Sequence, residues 1–203
     1  MAATVSFEGR KPACLTGARV MAVLALAAWF LSGCASTPAR EQNAFVPLVS
    51  HMAARVKTAD QVALSKWDSG RPVHDPQREA EVIAKAVAAA PAHGLATQDV
   101  EALFTDQIEA SKQVQYALLD AWKRTGRAPA WPRRSLSDEI RPELDRLQIE
   151  IMADLQQLRP LRESADCGAL VARAVDHVMR AAAFEDVHRA ALDRALARVC
   201  IGE

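Results

Sequence analysis

The stretch RVKTADQVALSKWDSGRPVHDPQR, residues 55–78, constrains this chain more than any other. Arg55 and Lys66 stand eleven residues apart, close to three turns of an α-helix, so both point the same way if the segment is helical. Ala59 and Val62 lie between them on that line. Cation, alanine, valine, cation is not the pattern of a solvated face. It describes an inward face whose two charges need an anionic partner, because burying them unpaired costs on the order of several kcal/mol. Asp75-Pro76 then starts another helix, with Asp as a strong N-cap and Pro favoured at the first helical position. Arg78 falls in the first turn, where the helix dipole disfavours a cation by up to about 1 kcal/mol. Either Arg78 is a surface arginine paired to Asp75, or it serves a pocket for a small dianion together with Arg55 and Lys66.

The rest of the chain supplies an all-α frame of about six helices for that pocket. Half of the 203 residues are hydrophobic, aromatics are few, and no strand-like alternation or internal repeat is visible. The first helix is predicted from about Pro47 to Trp67, with Val49, Met52, Ala53, Val56, Ala59 and Ala63 as its packing stripe. The second continues from Pro76 through Val82, Ile83, Ala86 and Val87 and stops near Pro91-Ala92-His93-Gly94. Thr97 is expected to cap a long third helix reaching about Lys123, with a stripe of Val100, Leu103, Phe104, Val114, Leu118 and Trp122. Gln107, Ser111 and Gln115 interrupt that stripe at i, i+4 and i+8. Buried neutral polar groups need partners, so they form either a satisfied seam between helices or a row facing a ligand.

After a Pro-rich loop, residues 125–136, Ser135 or Ser137 starts a fourth helix with Leu144, Leu147, Ile151, Leu155 and Leu158 on one face. Arg141 is pinned to its beginning by Pro142, which is tolerated only in a first turn. Residues 161–203 read as a helical hairpin. Its arms carry Leu170, Val171, Ala174, Val175 and Val178, then Val187, Ala191, Ala195, Leu196 and Val199.

Residues 1–33 are a separate object. Arg10, Lys11 and Arg19 precede the apolar run Val20–Leu31, which is short for a membrane span and suits a secretion signal. The run ends in Leu31-Ser32-Gly33-Cys34, similar to a bacterial lipobox in which Cys34 is lipidated; an ordinary signal cut nearby is the alternative. Residues 34–45 then form a tether and 46–203 the domain. Three of the 25 cations and one of the 25 acids lie within residues 1–33, so the remainder is slightly acidic and offers no nucleic-acid footprint. With Cys14 removed and Cys34 lipidated, Cys167 and Cys200 are left in an oxidising compartment. They open and close the hairpin, so a bridge between them is geometrically natural, and two buried free thiols are the alternative. The five histidines show no metal-ligand spacing.

In order, Arg55, Lys66, Asp75, Arg78, Glu79, Ser111 and Gln115 match a known pattern. With the surrounding ADQVALSKW, DPQRE and DQIEASKQVQ, the chain resembles the all-α chorismate mutases, and in its export signal and cysteine pair the secreted, periplasmic subgroup. The resemblance runs over about residues 46–201. It implies rearrangement of chorismate to prephenate, a unimolecular pericyclic step without covalent intermediate, cofactor or metal. It also implies roles. Arg55 grips a substrate carboxylate, and Arg78 the carboxylate near the ether. Lys66 donates to the ether oxygen with Gln115 as second donor, and Ser111 bonds a carboxylate. Asp75 and Glu79 hold the ring hydroxyl and the cations, and Arg141 acts as the subgroup's own fourth cation. Relatives are often homodimers. A non-catalytic helical envelope lipoprotein or binding scaffold is the competing expectation, though a scaffold has no reason to keep inward charges.

Overall fold

The computed structural model describes residues 44–181 and 184–201. Eight α-helices are present among them: α1 (Val46–Lys57), α2 (Ala59–Ser69), α3 (Pro76–Ala89), α4 (Thr97–Thr125), α5 (Arg141–Gln157), the single turn α6 (Arg159–Arg162), α7 (Cys167–Ala181) and α8 (Asp186–Leu196). No strand occurs among the described residues, as the sequence predicts. The expected secretion signal and Cys34 lie outside the described residues. The expected tether gives way to the domain by Phe45, which is fully buried against the core.

The first predicted helix is divided in two at Thr58. The Thr58 hydroxyl donates to the Arg55 carbonyl at 2.7 Å, a side-chain bond to the backbone at the junction of the two helices. Thr58 itself stays in helical conformation, so α1 and α2 continue the same path. Every residue of the predicted stripe, from Val49 to Ala63, is buried. Gly70 then adopts φ +69° as the C-cap of α2, and its N–H bonds the Lys66 carbonyl at 2.9 Å. This left-handed turn suits glycine, and it sends Arg71–Asp75 back across the end of α2.

α4 is the central wall, packed against α2, α3 and α8, while α1 packs against α5, α7 and α8. Its N-cap is Ala96, so Thr97 is the first helical residue rather than the cap expected from sequence, and no side chain caps this end. One apolar cluster joins α1 to α5, α7 and the upper part of α4; a second joins α2, the lower half of α4 and α8. Trp67 and Trp122 meet edge to face at 6.1 Å in the second.

The C-terminal arms share α1 as their common neighbour. Cys167 and Cys200 are bridged, with Cα atoms 5.8 Å apart. Arg162, buried under this end, donates to the Val199 carbonyl at 2.7 Å, and its own carbonyl accepts from the Ile201 N–H at 2.8 Å. Among the described residues no helix is long and apolar enough to cross a membrane.

Candidate active site

A cavity of about 160 Å³ opens between α1–α5. Arg55, Lys66, Asp75, Arg78, Glu79, Ser111, Gln115 and Arg141 all line it, so the structure brings together every residue proposed from sequence for the pocket. They come from five helices and the turn before α3, which is why no short motif could have contained them.

Arg55 is the deepest cation, with 6 % of its surface exposed. Its Nη1 donates to the Leu144 carbonyl at 3.3 Å, and its guanidinium lies 5.5 Å over the Phe104 ring. Burial lowers its pKa to about 10; Asp145 opposes this and Arg78 adds to it. Arg55 therefore stays charged near neutral pH, pre-positioned but short of an anion. Lys66 projects from the last turn of α2. Burial lowers its pKa as well, opposed by Asp75 and reinforced by Arg71 and Arg141. Cations that depress one another across an open cavity make it a receptor for an anion.

Asp75 caps α3 as expected, its Oδ1 accepting from the Arg78 N–H at 3.2 Å. The Arg78 guanidinium does not turn back to Asp75. It contacts Glu81 at 3.2 Å, an exposed i,i+3 pair that constrains it little. Glu79 is held more firmly. Its Oε1 accepts from the Asp75 N–H at 3.1 Å and contacts His74 Nδ1 at 3.2 Å, while Oε2 contacts Lys112 Nζ at 3.0 Å. Burial would raise its pKa, but the Asp75 N–H, Lys112 and His74 outweigh it and hold the group below the usual carboxylate range.

On α4, Gln115 is 5 % exposed and its Nε2 donates to Ser111 Oγ at 3.1 Å. One amide hydrogen is thus spent on Ser111, leaving the Ser111 hydroxyl hydrogen and the second amide hydrogen available to a ligand. Among the described residues the buried Oε1 atoms of Gln107 and Gln115 have no partner, so the row does not satisfy itself within the described protein. Gln107 is only half engaged, donating to the Ala195 carbonyl of α8 at 3.1 Å.

Arg141, itself exposed, lines the cavity from the first residue of α5. Ser135 caps the turn before it, accepting from the Asp138 N–H at 3.2 Å, while Glu139 accepts from the Ser135 N–H at 2.8 Å. The five residues Leu136–Ile140 make one wide π turn that delivers Arg141 to the start of α5.

Four polar lining residues were missed by sequence reasoning: Arg71, Lys112, Asp145 and Gln148. Gln148 carried a signal, since it follows Leu147 on the buried face of α5 and is itself buried. Lys112 adjoins Ser111 on the flank of the polar row. Arg71 carried none, because its position depends on the turn at Gly70.

Fold and site together define an all-α enzyme-like pocket in which cations and neutral donors converge on one small cavity. The model of the family described as chorismate mutase type II matches residues 47–116. A secreted chorismate mutase of Mycolicibacterium smegmatis is 34 % identical over 89 % of this chain and 99 % of its own. That of Mycobacterium tuberculosis is 27 % identical over 75 % of this chain and 76 % of its own. The crystal structure of a chorismate mutase from Burkholderia phymatum superposes with a TM-score of 0.78 at 59 % identity, covering 80 % of this chain and 99 % of that one. The chain belongs to the chorismate mutase family, a family of isomerases. Two of these relatives are named as secreted, in agreement with the export expected from residues 1–33.

Proposed function

We propose that this chain rearranges chorismate to prephenate in the cavity between α1–α5, and that Arg55, Lys66, Arg78, Ser111, Gln115 and Arg141 do the work. The observation that carries the reading is the convergence of four of these cations and both neutral donors on one cavity lining. A pericyclic step needs no nucleophile or proton transfer. It gains from holding the substrate in a compact chair-like conformer and from stabilising negative charge that grows on the ether oxygen.

In this reading Arg55 and Arg78 take the two carboxylates, using the planar fork of guanidinium. Lys66 and the free amide hydrogen of Gln115 converge on the ether oxygen. Ser111, its oxygen occupied by Gln115, turns its hydrogen to a carboxylate. Asp75 and Glu79 accept from the ring hydroxyl, and Arg141 acts as the fourth cation. The test is the loss of chorismate's ultraviolet absorbance on adding the purified, oxidised protein; absence of turnover by folded protein would sink the reading.

The neutral amide at Gln115 donates at any pH, so activity is expected to be flat around neutrality. It should fall on the alkaline side as Lys66 loses its proton, sooner than a free lysine would because burial depresses its pKa. Gln115→Glu should make the rate depend on protonation of the new carboxyl: activity rises as pH falls and is lost as pH rises through that group's pKa. A rate–pH series on both proteins checks this, and identical profiles would remove Gln115 from the ether oxygen.

Arg141 supplies a fourth cation from this same chain, so a homodimer is not needed to bring one to the cavity. Export followed by lipidation at Cys34 would anchor the domain to a membrane through residues 34–45. Mass spectrometry of the membrane fraction should then find diacylglyceryl-modified Cys34; a soluble, unmodified mature chain would refute the anchor.

A further inference from the structure

We infer that Lys112 is a positioning residue for the proposed reaction: it neutralises Glu79 and fixes its carboxylate at the cavity wall. The inference rests on the chorismate reading above. Lys112 stands on α4 beside Ser111, and its side chain is only 13 % exposed. It bridges two acids, contacting Glu79 Oε2 at 3.0 Å and Glu109 Oε1 at 2.5 Å. Glu79, on α3, is otherwise faced by His74 and by the Asp75 N–H, both on its Oε1. Lys112 is therefore the contact that holds Oε2, and it ties α3 to α4 across the cavity.

A carboxylate lining a pocket for a dianion is repulsive unless a cation stands against it. Arg55, Lys66, Arg78 and Arg141 are assigned to the substrate, so they serve Glu79 poorly once substrate is bound. Lys112 meets this need from α4. It is pinned by Glu109 on its own helix, so it cannot swing far into the cavity, and it leaves Glu79 ionised and aimed. Burial disfavours the charged lysine, but Glu109 and Glu79 outweigh burial and raise its pKa. Lys112 thus acts through Glu79 rather than on the substrate.

The test is a double-mutant cycle on the oxidised, processed protein, reading KM and kcat for chorismate and the Kd of prephenate by calorimetry. Lys112→Met should raise KM and the prephenate Kd about tenfold while kcat changes less than about threefold, because binding of the ground state and of the transition state is weakened alike. Lys112→Arg should restore both. In the Glu79→Gln background, where no carboxylate remains to neutralise, Lys112→Met should have little further effect. Circular dichroism and melting identify a misfolded variant, and Lys112→Gln then takes its place. Equal and additive losses in both backgrounds would mean that Lys112 touches substrate or serves only packing, and an unchanged KM in Lys112→Met would mean that Glu79 needs no partner; either result overturns the inference. A wild type that binds prephenate but turns over no chorismate refutes the proposed function alone, since the calorimetric cycle still reads the Lys112–Glu79 coupling.

Discussion

Lys66→Ala is expected to lower kcat/KM about a thousandfold or more while leaving helix content and melting temperature close to wild type. The two halves of that expectation have separate causes. Lys66 lies in the last turn of α2, half-buried, and among the described residues it forms no ion pair. The charges nearest it are mixed: Asp75 favours its charged form, whereas burial, Arg71 and Arg141 disfavour it. Removing it relieves repulsion as well as losing attraction, and alanine is the better helix former. Little net stability should therefore change. Catalysis is different. A pre-positioned donor aimed at charge that develops only in the transition state is worth about a hundred- to a thousandfold, and a cation in a partly dry cavity lies at the upper end. Gln115 cannot compensate, because one of its amide hydrogens belongs to Ser111 and the other is already assigned to the ether oxygen. The measurement is steady-state kinetics beside a thermal melt. Turnover within tenfold of wild type, with an unchanged melt, would place Lys66 away from the reacting oxygen.

The inward line of Arg55, Ala59, Val62 and Lys66 was legible because helical periodicity is a property of the sequence, and Thr58, itself in helical conformation, preserves it between α1 and α2. The apolar stripes of α1 and α4 were legible for the same reason. Contacts across the cavity were not. Glu79 could be placed at the site by resemblance, yet its partners His74 and Lys112 come from a turn and from another helix, and their meeting is a tertiary fact. Arg71 is a similar case: its place on the cavity wall follows from the left-handed Gly70. The missing cap at Thr97 shows the opposite limit. Threonine satisfies a cap pattern one residue before or after the place the chain uses, and packing of Val100 and Leu103 fixes the start of α4 instead. The buried pair of His188 and Asp60, 2.7 Å apart and joined by Lys57, carried no periodic signal either. Its residues are distant in sequence, and each alone resembles a surface residue.

Cys167→Ser should lower the melting temperature by roughly 6–16 °C without removing activity at low temperature. The bridge closes a segment whose ends are separated by 33 residues. In the chain-entropy account such a closure is worth about 3–4 kcal/mol, and for a domain of this size each kcal/mol moves the melt by about 2–4 °C. The fold should survive the loss, because the same end of the molecule is pinned a second time. Arg162 bonds the Val199 carbonyl, and the Ile201 N–H bonds Arg162. α7 and α8 are also seated on α1, and α8 on α4, through buried Leu170, Val175, Leu192 and Leu196. No residue of α7 or α8 lines the cavity, so a looser hairpin reaches it indirectly, through Gln107, whose Nε2 is held by the Ala195 carbonyl, and through Asp60 of α2, paired with His188. Reductant provides the control: it should lower the wild-type melt to the level of the variant and leave the variant unmoved. A wild-type melt indifferent to reductant under conditions that free both thiols would mean that the second set of contacts already holds the hairpin, and that the bridge adds nothing to it.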